Sequence, residues 1–189
     1  MKINIAIAGA PCSGKSSLAA LLFVKLKRLG YDFDLIFEES RKIRKDFGSF
    51  QSVWERFYMW RQQEREELRS TAENGFITDS PLFHYYIQVK IHAQEKRDQY
   101  AVREMFRMCQ EIEDRYQLIV IAEDPTEYEY KNDASRRGNL DNALLKHELT
   151  VDFVKFMWGD RLLFVKGDVE ERAEQVIEKI KELMGVIGE

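Results

Sequence analysis

The sequence predicts a three-layer α/β fold: a five-stranded parallel sheet with helices on both faces and a lid loop. Short runs of β-branched and other apolar residues alternate with longer helical patterns along the 189 residues, the pattern of strands joined by crossover helices. Several of those runs are apolar at consecutive positions, the mark of strands covered on both sides. Carboxylates follow three of them, at Glu38 (with Glu39), Asp79 and Glu123, on the sheet edge where ligands of such folds bind. A chain of this length supports one well-buried core. With no internal repeat, low-complexity tract or linker, residues 1–189 read as a single domain.

The elements follow in order. Lys2–Ala8 (KINIAIA) is a buried-strand pattern, and a glycine-rich turn comes next. Lys15–Leu29 repeats leucine and alanine at helical spacing and stops at Gly30. Phe33–Phe37 is a second strand, and Arg41–Gly48 is charged and irregular or briefly helical. A long helix is predicted over Phe50–Glu73, with Phe50, Val53, Trp54, Phe57 and Trp60 on one face expected to be core. Asn74-Gly75 ends it, and Phe76–Thr78 forms a third strand. Pro81 suits the first turn of a helix reaching His92, and another helix covers Asp98–Arg115. Leu118–Ala122 is a buried strand, and the polar stretch 124–140, with Pro125 and Gly138, is the lid. A helix over Asp141–Met157, a strand over Arg161–Val165 and an amphipathic helix over Val169–Met184 complete the chain.

Composition narrows the function classes. A net charge of −4 argues against a general nucleic-acid field. The two cysteines, Cys12 and Cys109, have no metal-ligand spacing and suit a reduced, cytoplasmic protein. No apolar run has the length of a membrane span, and the first apolar run leads into a glycine turn rather than a cleavage site.

Residues 9–16, Gly9-Ala10-Pro11-Cys12-Ser13-Gly14-Lys15-Ser16, satisfy G-x-x-x-x-G-K-[ST] between a predicted strand and a predicted helix. Glycines let successive N–H groups turn inward, and a helix N-terminus adds partial positive charge. Lys15 then reaches the β- and γ-phosphates, Ser16 offers a hydroxyl to Mg²⁺, and Ser17 continues the first turn. ATP with Mg²⁺ is therefore the expected nucleotide. Cys12 fills a variable position as a small side chain. Asp79 is a candidate for orienting the metal or for acid–base work, or else a helix N-cap. Glu38 is the favoured base of its pair. Arg136 and Arg137, in the predicted lid, suit charge neutralisation on a transferring phosphoryl group. His84, Tyr85 and Tyr86 read as partly core.

These motifs resemble the P-loop nucleoside and nucleotide kinases, most of all the NadR-type ribosylnicotinamide kinase domain and its phage-type relatives, from Gly9 to about Val165. In that family an arginine follows the acid of the second strand by three residues, as Arg41 follows Glu38. A glutamine precedes the acid of the third strand by sixteen, as Gln63 precedes Asp79, and a lid aspartate precedes an arginine by three, as Asp133 precedes Arg136. The resemblance implies ATP-dependent transfer to a hydroxyl of a nucleoside-like acceptor. Glu38 or Asp79 would act as base, Arg41 would hold the acceptor or phosphate, and Gln63 would contact the acceptor, with Asp133 beside it. The chain departs from the family at Pro81, where a second acid is common. It also lacks a further lid arginine: after Arg137 the next cation is Lys146.

Three functions follow as expectations. The first is a kinase of nucleosides or nucleoside monophosphates. The second is a kinase of a hydroxyl on DNA or RNA, suggested by the basic run Arg41–Lys45 and the aromatic helix. The third is a P-loop NTPase without transfer.

Overall fold

The computed structural model describes residues 2–38, 52–122 and 140–185. Its five strands are β1 (Ile5–Ala8), β2 (Phe33–Ile36), β3 (Gly75–Thr78), β4 (Leu118–Ile121) and β5 (Leu162–Phe164). Its α-helices are α1 (Lys15–Arg28), α2 (Glu55–Leu68), α3 (Phe83–His92), α4 (Asp98–Glu111), α5 (Leu140–Trp158) and α6 (Val169–Leu183). A 3₁₀ turn, Gly159–Arg161, leads into β5. The strands form one parallel sheet in the order β2-β3-β1-β4-β5. The predicted sheet and strand number stand.

Strand alternation sorts the two cores. Ile5, Ile7, Ile77, Leu118 and Val120 face α1 and α6, packing on Leu18, Leu22, Leu26, Val176 and Ile180. Ala6, Ala8, Phe76, Ile119 and Ile121 face α2 to α5. The small side chains of Ala6 and Ala8 on that face lie in one cluster with Phe83, Tyr85 and Trp158. Helix α1 thus leaves β1 on one face, while α3 leaves the neighbouring β3 on the other. That divergence opens a crevice beyond the carboxyl ends of β1 and β3.

Helix α2 is shorter than its periodicity predicts, Glu55–Leu68 rather than Phe50–Glu73. Its C-terminal end is drawn off by β2. The Asp34 carboxylate accepts from Ser70 Oγ (2.8 Å) and from the Thr71 and Ala72 amides, and Asp32 accepts from the Glu73 amide (3.0 Å). Such side-chain bonds offer those amides an alternative to helix. Of the expected apolar face, Val53 and Trp60 are core and Phe57 packs against it, while Trp54 is exposed and Phe50 lies outside the described residues. The helix also buries Arg56, Met59, Gln63 and Glu67, and Tyr58 is exposed.

A cavity of about 360 Å³ lies at the opposite, amino edge of the sheet, lined by Lys2, Asn4, Glu67, Phe76, Ile112 and Arg115 among others. It contains none of the sequence-predicted site residues.

Candidate active site

The turn after β1 begins at Gly9, whose φ is 134°. A Cβ there would lie 3.2 Å from the Ala122 carbonyl oxygen and 3.3 Å from the Ala122 Cβ, so the chain passes β4 only as glycine. Cys12 and Gly14 are left-handed, with φ of 64° and 78°. The loop narrows on a Ser13 N–H to Ala10 carbonyl bond of 3.4 Å, and the Leu18 amide donates to the Gly14 carbonyl at 2.9 Å as α1 begins. Among the described residues no side chain caps α1, and no acid stands in its first turn. Its amino end therefore keeps its partial positive charge for an anion.

Four polar side chains crowd this end. Lys15 Nζ donates to the Ala10 carbonyl at 2.6 Å, which folds the ammonium against the loop. The Ser16 hydroxyl donates to Asp79 Oδ2. Ser13 is buried, and its Oγ has no hydrogen-bond partner among the described residues. Arg172, from α6, donates through Nη1 to the Ser13 carbonyl at 2.9 Å.

Asp79 is buried at the tip of β3. It does not cap α3, whose first turn has Leu82 at the cap and no side-chain cap bond. The acid is engaged with the phosphate-loop helix instead. Gln63, fully buried on α2, donates Nε2–H to Thr78 Oγ1 at 3.2 Å, and the same oxygen accepts from the Ser80 amide. Thr78, Asp79 and Ser80 are thus tied to both α1 and α2.

Glu38, half-buried past the end of β2, shares an electrostatic field with His84 on the first turn of α3. Lack of water around the His84 ring, together with Lys15 and Lys146, holds its pKa down to about 3 against the pull of Glu38 and of its bond to the Gly9 backbone. The ring is neutral at physiological pH and abuts the start of the phosphate loop. Sequence reading placed His84 partly in the core and set Lys146 beyond the lid. The signal for His84 was its place one turn into the helix that follows the strand-tip acid. Tyr85 and Tyr86 are core, as expected. Arg41, Glu39, Glu123, Asp133, Arg136 and Arg137 lie outside the described residues.

The site therefore brings together Gly9, Ala10, Pro11, Cys12, Ser13, Gly14, Lys15, Ser16 and Ser17, with Asp79 bonded to Ser16 and Glu38 facing the same field. A family model described as AAA domain (AAA_28) matches residues 4–172. The chain belongs to this AAA domain family. The AAA domain has the fold of solved P-loop kinases. It is similar to the NadR protein in complex with NAD and AMP-PNP (TM-score 0.71, 19% identity, 100% of this chain and 51% of that one). It is also similar to the NadR protein in complex with NR (TM-score 0.76, 20% identity, 100% and 53%). A third likeness is to deoxyadenosine kinase from M. mycoides with bound dATP (TM-score 0.65, 15% identity, 95% and 99%). The AAA domain spans about half the length of the NadR chains. No curated protein matches it by sequence. Among the described residues no helix is long and apolar enough to cross a membrane.

Proposed function

We propose that this AAA domain is an ATP- and Mg²⁺-dependent kinase that transfers the γ-phosphoryl group to a hydroxyl of a nucleoside or nucleoside monophosphate, acting as one domain over residues 1–189. One observation carries the reading: Asp79, at the tip of β3, is bonded to Ser16 on the first turn of the phosphate-loop helix, while Glu38 and Lys15 both act on the His84 ring. The acid past β2 therefore lies within electrostatic reach of the same ring as the loop lysine. The phosphate-loop amides and Lys15 hold the β- and γ-phosphates, and Lys15 exchanges the Ala10 carbonyl for phosphate oxygens. The Ser13 hydroxyl, buried with no hydrogen-bond partner among the described residues, donates to a phosphate oxygen.

The donor set fits magnesium. Ser16 and Asp79 place a hydroxyl and a carboxylate side by side, and Mg²⁺ ordinarily takes one or two protein oxygens with waters and phosphate oxygens. When bound, the ion neutralises charge on the phosphates. Asp79 is occupied on the α1 side, so the base is Glu38, which takes the proton of the acceptor hydroxyl as it attacks. The neutral His84 ring holds the Gly9 backbone without adding a competing charge. Gln63 and Arg41 contact the acceptor, Asp133 lies beside it, and Arg136 and Arg137 neutralise the transferring group from the lid. Support for the acceptor class comes from the neighbours' printed ligands, NR and dATP.

A second reading is favoured by the exposed Trp54 and Tyr58, two rings one helical turn apart at the head of α2. Aromatic platforms of this kind stack nucleic-acid bases, and the same chemistry would then act on a hydroxyl of DNA or RNA. Incubation with labelled ATP and a panel of nucleosides, nucleoside monophosphates and single-stranded oligomers separates the two. A phosphorylated small molecule supports the first reading, and product only from oligomers, with steep salt dependence, supports the second. ATP hydrolysis without product on any acceptor refutes both.

A further inference from the structure

A phosphate loop directs its N–H groups inward, so its carbonyls turn outward and require partners of their own. Here that geometry is demanding. Cys12 holds a left-handed backbone without being glycine, and Gly14 two residues on is left-handed as well. A non-glycine residue in that region is strained, because its Cβ crowds the following carbonyl oxygen. The Ser13 peptide between them is buried, and its carbonyl points away from the phosphate side to α6, where Arg172 Nη1 meets it at 2.9 Å.

Arg172 is itself nine-tenths buried and held from a second direction. Its Nε donates to the Gly167 carbonyl at 2.7 Å. Gly167 has a φ of 95°, and a Cβ there would collide with the Glu171 carboxylate. Glu171 is locked in turn: its carboxylate accepts from the Asp168 amide (2.9 Å), while Asp168 Oδ1 accepts from the Glu170 and Glu171 amides (2.8 and 2.9 Å). The guanidinium therefore arrives at the phosphate loop fixed by its own helix. Helix α6 is fixed to α1 by Lys25, which pairs with Glu170 at 2.6 Å and with Glu174, and by the packing of Val176, Ile177 and Ile180.

We infer that Arg172 is a positioning residue for nucleotide binding: it latches the Ser13 peptide with its carbonyl outward, and so keeps the loop's N–H groups aimed at the phosphates before ATP arrives. Loss of the guanidinium leaves a buried carbonyl without a partner. The Ser13 peptide then rotates, and ATP must restore the loop geometry on binding. The role needs the arginine fork, because one guanidinium spans two carbonyls on separate segments. A lysine keeps the charge and loses one of the two bonds. The inference rests on the proposed ATP site.

The experiment measures magnesium-ATP binding by calorimetry, steady-state kinetics for both substrates, and Tm, for wild type, Arg172→Lys, Arg172→Gln and Val176→Ala. Val176 is buried in the α1–α6 core. Expected are an ATP Kd raised about tenfold or more in both Arg172 variants with the acceptor KM unchanged, and an unaltered ATP Kd in Val176→Ala despite a lowered Tm. An unchanged ATP Kd in both Arg172 variants overturns the inference. So does an equal rise in Val176→Ala, which would make the effect one of helix docking. Failure of the wild type to bind ATP would instead overturn the proposed function.

Discussion

On the phosphate side of the crevice the groups that meet a ligand are largely backbone, set by nine consecutive residues, Gly9 to Ser17, and closed by bonds within the loop itself. On the α2–α3 side the groups proposed to act are side chains from separate elements: Glu38 after β2 and Gln63 on α2, with His84 on α3 and Lys146 on α5 in the electrostatic surroundings of Glu38. The first side is a local structure that one motif specifies, with a single outside latch from Arg172 on the Ser13 carbonyl. The second exists only where four elements converge, and a change in any of them alters it. The phosphate side should accordingly be intolerant of single changes and indifferent to the acceptor. The α2–α3 side should govern turnover and specificity while leaving ATP affinity in place.

The largest effect is expected at Lys15. Lys15→Ala should lower transfer by about 10²–10³-fold or more, because it removes the one mobile cation of the loop. Retained turnover in a coupled assay would break the assignment of the phosphate side. Glu38→Gln should lower kcat about a hundredfold with ATP binding intact. An unchanged rate would move the base to Asp79 and erase the division of labour. Arg136→Ala should slow single-turnover transfer about tenfold or more while shifting ATP Kd less than that. A pure affinity loss would make the lid part of the ATP side.

The smallest effect tests a region remote from both. Glu67, on α2 four residues past Gln63, has its side chain fully buried between the Tyr116 hydroxyl (2.9 Å) and Arg115 (3.4 Å). Tyr116 in turn accepts from the Leu82 amide at 3.0 Å. Burial outweighs these partners and pushes the Glu67 carboxyl up to about 8. Because the folded pKa is raised, the contribution of Glu67 to stability is full below its ordinary value of 4.5 and is lost as pH rises through about 8. Glu67→Gln keeps the hydrogen-bonding shape and removes the titration. It should raise Tm by several degrees at pH 8 and little at pH 5, equivalent to roughly 1–3 kcal/mol at the higher pH. ATP affinity should not move. Equal shifts at both pH values would show that Glu67 does not titrate in this range.

Element type was legible along the described chain because apolar periodicity reports burial directly. Boundaries were less so where distant side chains compete for backbone, as Asp34 does for the amides after α2. The face of α2 was read in part: Val53 and Trp60 are core and Phe57 packs on it, while Trp54 is exposed. What the pattern left out are its polar members, Gln63 and Glu67, which are buried because partners elsewhere satisfy them. Periodicity cannot see such partners.

By itself the sequence determined the parallel α/β sheet, the phosphate loop and the strand-tip acids, because each depends on residues close together in the chain. Only the tertiary structure decided that Asp79 bonds Ser16 rather than capping α3, that His84 is held neutral against the loop, and that Arg172 reaches Ser13 across 159 residues of sequence. Hydrogen bonds and desolvation are set by which groups meet in space, and that meeting is fixed by how α1, α3 and α6 pack on the sheet.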